Sequence, residues 1–175
     1  NKMNTQSPIQ LSMGELVEFW VAIIEKLDRD GVSFELFTNG SQQDYSLALN
    51  VVTSVRERLS ISCDLATRPQ EPCQLAHLIS QYRAVIASRL HAHIIATSYR
   101  VPSIGLLWDD KVLAFFKDTG REALVFDSFE AKDAGNVVEA LYQVMDARVD
   151  ETTVMEKQGL IADNVRAVLA AIGLL

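Results

Sequence analysis

Segments with two different hydrophobic periods alternate along this chain. From Leu16 to Leu27 apolar residues recur every three or four positions, which is typical of one buried face of a helix. The preceding Ser12-Met13-Gly14-Glu15 has the S-x-x-E spacing of a capping box, so a helix start is expected there. Residues 32–37 then alternate like a strand and end at the turn signal Asn39-Gly40.

The alternation of helical and strand-like segments continues to the end of the chain. Further helices are predicted over 44–59, 71–80, 90–99, 109–117, 132–147 and 153–172, and further strands over 61–65, 84–87, 102–107 and 123–126. Strands that alternate with helices are typical of a parallel sheet covered on both sides. The predicted fold class is therefore α/β, a Rossmann-like doubly wound parallel sheet with helices on both faces. Residues 1–175 contain no repeat or long linker and are expected to form one domain.

The beginning of the chain departs from this pattern. A doubly wound domain normally opens on a strand, whereas residues 1–9 are polar and predict none. We therefore expect the chain to be the C-terminal half of a longer two-domain protein. An N-terminal domain is expected to be missing, with the first strand of this domain as a further candidate.

Composition and charge narrow the possible partners. Hydrophobic residues make up 49% and charged residues 22%, as in soluble ordered domains. A net charge of −7 without any basic cluster argues against nucleic acid or an anionic membrane surface as a partner. Because no apolar run approaches ~20 residues and no signal peptide opens the chain, a cytoplasmic protein without a membrane span is expected. A few local cations can still bind an anionic small molecule.

The most informative segment is Ser88-Arg89-Leu90-His91, which follows the apolar run 84–87 and precedes a predicted helix. The first N–H groups of a helix and its dipole favour an anion, and the arginine and the histidine add donors. With an ordinary pKa near ~6.5, His91 could also carry a proton near neutrality. The alternative, an arginine that satisfies carbonyl groups beside a locally bonded histidine, remains open. His93 faces another side of the helix and is predicted to pack rather than to share a metal with His91.

In doubly wound folds, ligands bind outside the carboxyl ends of the strands. The residues at those ends therefore make up the candidate site: Thr38, Asn39, Gly40, Thr67, Arg68, Ser88, Arg89, His91, Trp108, Asp109, Asp110 and Lys111. This set suits a phosphorylated or carboxylated ligand with hydroxyl groups to be positioned.

The charged candidates at positions 44 and 109–111 have two interpretations. Lys111 could approach the anion while Asp109 or Asp110 orients a sugar hydroxyl, or Asp109 could simply cap the helix with Lys111 in solvent. Asp44 is either an acid of the first helical turn or a substrate ligand from the neighbouring loop.

No GxGxxG, GxxxxGK[ST] or GxSxG motif and no metal-ligand spacing is present.

Residues 88–120 resemble the C-terminal signature of the polysaccharide pyruvyl transferase family. The signature consists of an SRLH-like turn, a helix of small residues, a strand after a proline, an aromatic-acid-Lys step, and a helix that ends in glycine. The matching positions are Ser88, Arg89, Leu90, His91, Ala96, Pro102, Trp108, Asp109, Lys111, Phe115 and Gly120.

This resemblance implies the C-terminal half of a fold similar to B-type glycosyltransferases, with the active site between two Rossmann-like domains. It implies an enzyme that transfers pyruvate from phosphoenolpyruvate to a sugar hydroxyl pair, as a ketal, in surface polysaccharide biosynthesis, without a cofactor. His91 and Arg89 would be catalytic and hold the donor phosphate, and a glycan would be the acceptor. The substrate-binding candidates are Ser88, Leu90, Lys111, Asp109, Asp44 and Asn39. Without its partner domain the chain is expected to be inactive, and its oligomeric state is open.

Two alternatives remain. The same architecture would suit the nucleotide-binding half of a B-type glycosyltransferase. The chain could also be a non-catalytic binding or assembly domain that pairs through its apolar tail, residues 170–175.

Overall fold

Helices and parallel strands alternate in the structure, a computed structural model that describes residues 11–39 and 41–145. The helices are α1 Met13–Arg29, α2 Gln42–Leu59, α3 Pro72–Ser80, α4 Leu90–Ser98, α5 Asp110–Asp118 and α6 Ala134–Met145. The strands are β1 Glu35–Leu36, β2 Asp64–Leu65, β3 Val85–Ala87, β4 Ser103–Leu106 and β5 Val125–Phe126. Short 3-10 helices lie at Glu122–Leu124 and Ala131–Asp133. The predicted α/β alternation is confirmed here, whereas the helix predicted over 153–172 lies outside the described residues.

The strands form two small parallel sheets rather than the one continuous sheet that was predicted. In one sheet β1 pairs with β2, and in the other the order is β3-β4-β5. Several strands are also shorter than expected. Of residues 32–37, only Glu35 and Leu36 belong to a ladder, because only these two pair with β2 and no other described strand lies beside β1.

Local sequence signals explain where the first helix starts and stops. The Ser12 hydroxyl accepts a hydrogen bond from the Glu15 backbone N–H, while the Glu15 carboxylate accepts one from the Ser12 backbone N–H at 2.7 Å. The same carboxylate accepts a bond from the Ser12 hydroxyl, and these bonds lower the pKa of Glu15. Gly31, with φ at +70°, terminates the helix in the left-handed region that glycine adopts without strain.

Helices cover both faces of the strands. On one face α1 and α6 pack against β4, with Phe19, Ile23 and Ile104 among the fully buried side chains. On the other face Val85 and Ala87 of β3 pack against α3 and α4. Helix α1 also packs against α2, so its apolar residues belong to the hydrophobic cores beside both sheets. None of the helices in the described ranges has the length and apolar content that crossing a membrane requires.

Candidate active site

The turn between β3 and α4 places an uncapped helix N-terminus at the carboxyl edge of the sheet. Arg89 is the N-cap residue of α4, in an extended conformation and without a side-chain cap hydrogen bond. The N-cap side chains Ser12, Ser41 and Asp109, by contrast, accept bonds from the first turns of α1, α2 and α5. The Ala92 N–H donates to the Arg89 carbonyl at 3.0 Å, whereas the Leu90 and His91 N–H groups are not served by a capping side chain and are available to an anion.

Arg89 is fixed by two contacts that come from distant parts of the chain. Its Nε and Nη2 groups donate to the two oxygens of Asp44 at 3.1 and 2.6 Å, a bidentate ion pair. Its guanidinium also lies over the Trp108 ring, 5.6 Å from the centroid. The two charged side chains retain 34% and 23% of their exposure, so solvent can reach them. Asp44 thus offsets the charge of Arg89 and joins the first turn of α2 to the β3–α4 turn.

A cavity of about 570 Å³ opens at this turn. Five of the sequence-predicted residues line its polar end, and the rest of its lining is largely apolar; the five are Thr38, Asn39, Asp44, Ser88 and Arg89. The structure therefore brings these five together at the carboxyl ends of β1 and β3, where ligands bind in sheets of this kind.

His91 lies in an adjoining groove rather than in this cavity. It is exposed on the first turn of α4, and the groove is also lined by Asn39, Arg68 and Leu75. Arg68 donates to the Gln42 side chain at 3.3 Å and lies 6.0 Å from the Tyr45 ring centroid. Asn39 lines both spaces, so Arg89 and His91 flank the same loop from different sides.

The segment after β4 adopts the simpler of its two predicted arrangements. Asp109 caps α5, and its Oδ1 accepts a hydrogen bond from the Lys111 backbone N–H at 2.8 Å. Lys111 is exposed on the first turn of this helix, and Leu90 is half-buried at the start of α4. Whether Asp109 and Lys111 also contact a substrate stays a prediction.

His93 holds the strand that leads into the site. The side chain is fully buried, as predicted, and its Nε2 lies 2.9 Å from the Ala87 carbonyl oxygen. Because a carbonyl can only accept, Nε2 carries the proton, and Nδ1 accepts from the Ser103 hydroxyl at 3.1 Å. Burial, together with the nearby charge of Arg121, lowers the pKa of His93 to about 4, although the hydrogen bond to the Ala87 carbonyl acts in the opposite direction. The neutral ring thereby joins the end of β3 to the start of β4.

Sequence reasoning missed the two aromatic side chains under the arginines. The sequence predicts Trp108 as a strand-end residue and as the aromatic position of the family signature, and predicts nothing for Tyr45, yet each ring lies against a guanidinium. An aromatic residue directly after a buried strand was the available signal for Trp108. Among the described residues, no group of three or more His, Cys, Asp or Glu side chains is arranged to hold a metal ion.

Fold and site together define an α/β protein with parallel strands and a charged, anion-compatible edge. The family model for polysaccharide pyruvyl transferase matches residues 16–110, which is more than half of the chain. The chain therefore belongs to the polysaccharide pyruvyl transferase family, a family of transferases. The match includes Asn39, Asp44 and the whole β3–α4 turn, and it ends one residue before Lys111. No curated protein and no solved structure matches the chain.

Proposed function

We propose that the chain is the C-terminal domain of a polysaccharide pyruvyl transferase that transfers pyruvate from phosphoenolpyruvate to a pair of sugar hydroxyls. The observation that carries the proposal is the uncapped N-terminus of α4, flanked by Arg89 and His91 within the family-matched region. Phosphoenolpyruvate carries a phosphate and a carboxylate, and helix N–H groups with adjacent cations suit both.

The contacts suggest which part of the donor each site residue would bind. His91 and the first N–H groups of α4 would bind the phosphate. Asp44 occupies Nε and Nη2 of Arg89, so the Nη1 group can still donate to the donor's carboxylate. Asn39 and Ser88 would hydrogen-bond the ligand from either side of the cavity.

The remaining candidates keep their predicted roles as part of the proposal. Leu90 would pack beside the bound donor at the start of α4. Asp109 and Lys111, at the start of α5, would orient the acceptor's hydroxyls and approach the donor, respectively.

Ketal formation passes through a cationic intermediate and releases phosphate, and the site must stabilise both. A proton is added to the methylene carbon of phosphoenolpyruvate, and a sugar hydroxyl attacks the adjacent carbon and loses its proton. The C–O bond to phosphate then breaks, and a second hydroxyl bonds to the same carbon and loses its proton, which the leaving phosphate can accept. Carboxylates would stabilise the cationic intermediate, and His91 with the α4 N-terminus would stabilise the leaving phosphate.

The proposal includes the finer fold that the sequence predicts. A doubly wound, Rossmann-like domain would form one half of a two-domain enzyme similar to B-type glycosyltransferases, with the glycan acceptor in the cleft between the halves. Helices on both faces of β3 and β4 support this arrangement. The present domain alone would then bind the donor without turning it over.

An NMR titration of the isotope-labelled chain separates the candidate functions. Phosphoenolpyruvate at millimolar concentration should shift the amides of residues 88–92, while uridine diphosphate at the same concentration should not. A response to the nucleotide alone would contradict the pyruvyl transferase proposal in favour of a glycosyltransferase. Absence of any response, in this chain and in a longer chain that includes the partner domain, would contradict both and favour an assembly domain.

A further inference from the structure

The two sheets face each other across the apolar part of the cavity. Residues 31–39, which include β1, line one side of it without interruption, and residues 82–89, which include β3, line the other. Two uninterrupted stretches of chain that face each other across a space, each containing a strand, are typical of two sheet edges. We call the space between these two stretches the central slot.

Backbone groups of both edges point into the central slot. The Val85 N–H donates to the Pro102 carbonyl at 2.9 Å, so Val85 faces β4 and the N–H and C=O of Ile86 face the opposite edge. The Ala66 N–H donates to the Leu36 carbonyl at 2.8 Å, so the backbone groups of Leu36 face β2. The N–H and C=O of the next residue, Phe37, therefore face away from β2. Within the described ranges no strand pairs with either of these edges. Backbone groups at buried edges require hydrogen-bond partners.

Side chains cover the central slot on both faces. Trp20, Ile23 and Leu27 of α1 lie along one face. On the other face the Tyr82 hydroxyl donates to the Glu35 carboxylate at 2.6 Å, and the Tyr82 ring lies 5.6 Å from that of Phe37. A space with free strand edges at its sides and apolar covers on its faces suits a central strand of a parallel sheet, which is buried on both faces.

We propose that the central slot receives an extended apolar strand, parallel to β1 and β3, that precedes α1 in the chain and is joined to it by the polar residues ahead of Met13. The strand would join the two sheets into one, in the order β2-β1-strand-β3-β4-β5. The C-terminal end of α1 leads into the beginning of β1, so the N-terminus of α1 lies at the opposite edge, near the carboxyl ends of the strands. A parallel strand in the slot would end at that same edge. Strand, α1 and β1 would then form a βαβ unit whose helix lies over its two strands, as α1 does.

The lining of the central slot determines the length and composition of the strand that fits it. About five to seven residues suffice for a typical strand, and they should be Val- or Ile-rich because the lining of the slot is largely apolar apart from the Tyr82–Glu35 pair. Residues 1–9 are polar and predict no strand, so the source would be polypeptide ahead of them in a longer protein. The end of the strand would emerge between Asn39 and Ser88, and the residue that follows it would enter the candidate site. This inference concerns the fold and holds whichever donor the site binds.

Hydrogen exchange on extended versions of the 175-residue chain tests the strand. One version carries an added N-terminal segment of about six Val and Ile residues, and the matched control carries Ser and Gly at the same length. We expect the amides of Ile86 and Phe37 to exchange roughly 100-fold more slowly in the Val/Ile version alone. The Val85 amide, which already pairs with β4, should change little in either version.

Three results would overturn the inference. Equal exchange of Ile86 and Phe37 in the two extended versions would mean that no strand enters. Protection in the unextended chain that is lost on dilution would assign the slot to a second copy. Protection that is lost when residues 146–175 are deleted would assign it to the chain's own C-terminal segment. A phosphoenolpyruvate titration of the same samples reports separately on the proposed function, so the failure of one proposal is not mistaken for that of the other.

Discussion

At the scale of single residues, the ion pair between Arg89 and Asp44 gives the site its rigidity. The pair is bidentate, and the guanidinium also lies over Trp108, so three elements hold one side chain. Charge-assisted bidentate bonds are stronger than ordinary hydrogen bonds and fix geometry as well as energy. A side chain positioned in this way needs little reorganisation when an anion binds.

Replacing Asp44 tests how much this pair contributes. We expect Asp44→Asn to lower the free energy of unfolding by about 1–2 kcal/mol, because Arg89 loses its charged partner in a partly buried site. Glu18→Gln is the matched control, since Glu18 pairs with Arg58 in a more exposed position and should cost at most about 0.5 kcal/mol. Urea denaturation of both variants measures the difference. Equal losses would show that the Arg89 pair is an ordinary surface ion pair.

His93 predicts a specific dependence of stability on pH. Its pKa is about 4 in the folded protein, below the ordinary value of 6.5, so only the unfolded state binds a proton between these values. The contribution of His93 to stability is therefore full above pH ~6.5 and falls as the pH falls toward 4. The loss should reach about 2 kcal/mol by pH ~5.

NMR of the ring and urea denaturation check this dependence. The His93 ring should remain neutral down to pH ~5, and a His93→Gln variant should lose the slope of stability between pH ~6.5 and ~5. Titration of His93 near its ordinary pKa would contradict the buried, hydrogen-bonded arrangement.

At the scale of elements, the packing of α5 on β4 depends on a glycine. A Cβ atom added to Gly105 would lie 2.9 Å from Phe116 Cε2 and 3.2 Å from Val112 Cγ1, closer than side chains pack. We expect Gly105→Ala to destabilise the protein by about 1–3 kcal/mol through overpacking. Thermal unfolding followed by circular dichroism measures the change.

Gly135 in α6 provides the matched control for this substitution. A Cβ atom there meets nothing within 4 Å, so Gly135→Ala should stabilise the helix by up to about 1 kcal/mol. Changes of the same sign in the two variants would contradict the close approach of α5 to β4.

Features formed by residues close together in the chain were predictable from the sequence, whereas features formed by distant residues were not. The β3–α4 turn was predictable because an apolar run, its polar end and the following helix are all local signals. The Asp44–Arg89 pair joins residues 45 positions apart, and no local pattern specifies such a partner. The separation into two sheets was missed for the same reason, because strand pairing depends on neighbours that periodicity does not reveal.

At the scale of the whole molecule, the proposed anion site lies in an acidic chain. The net charge of −7 opposes anionic ligands at long range, so binding must depend on donors at short range. The α4 N-terminus, Arg89 and His91 supply such donors within the region that the family model matches. The central slot lies directly beneath this edge, so completing the sheet would also complete the wall of the site.

The affinity for phosphoenolpyruvate, measured by isothermal titration calorimetry in matched histidine variants, tests the central claim most directly. His91→Ala removes the proposed phosphate donor, while His77→Ala removes an exposed histidine from α3, away from the carboxyl edge. The account predicts that His91→Ala weakens binding roughly 10- to 100-fold, the effect of losing a charge-assisted hydrogen bond, and that His77→Ala leaves it unchanged. Equal affinities in the two variants would contradict the placement of the donor site at the β3–α4 turn.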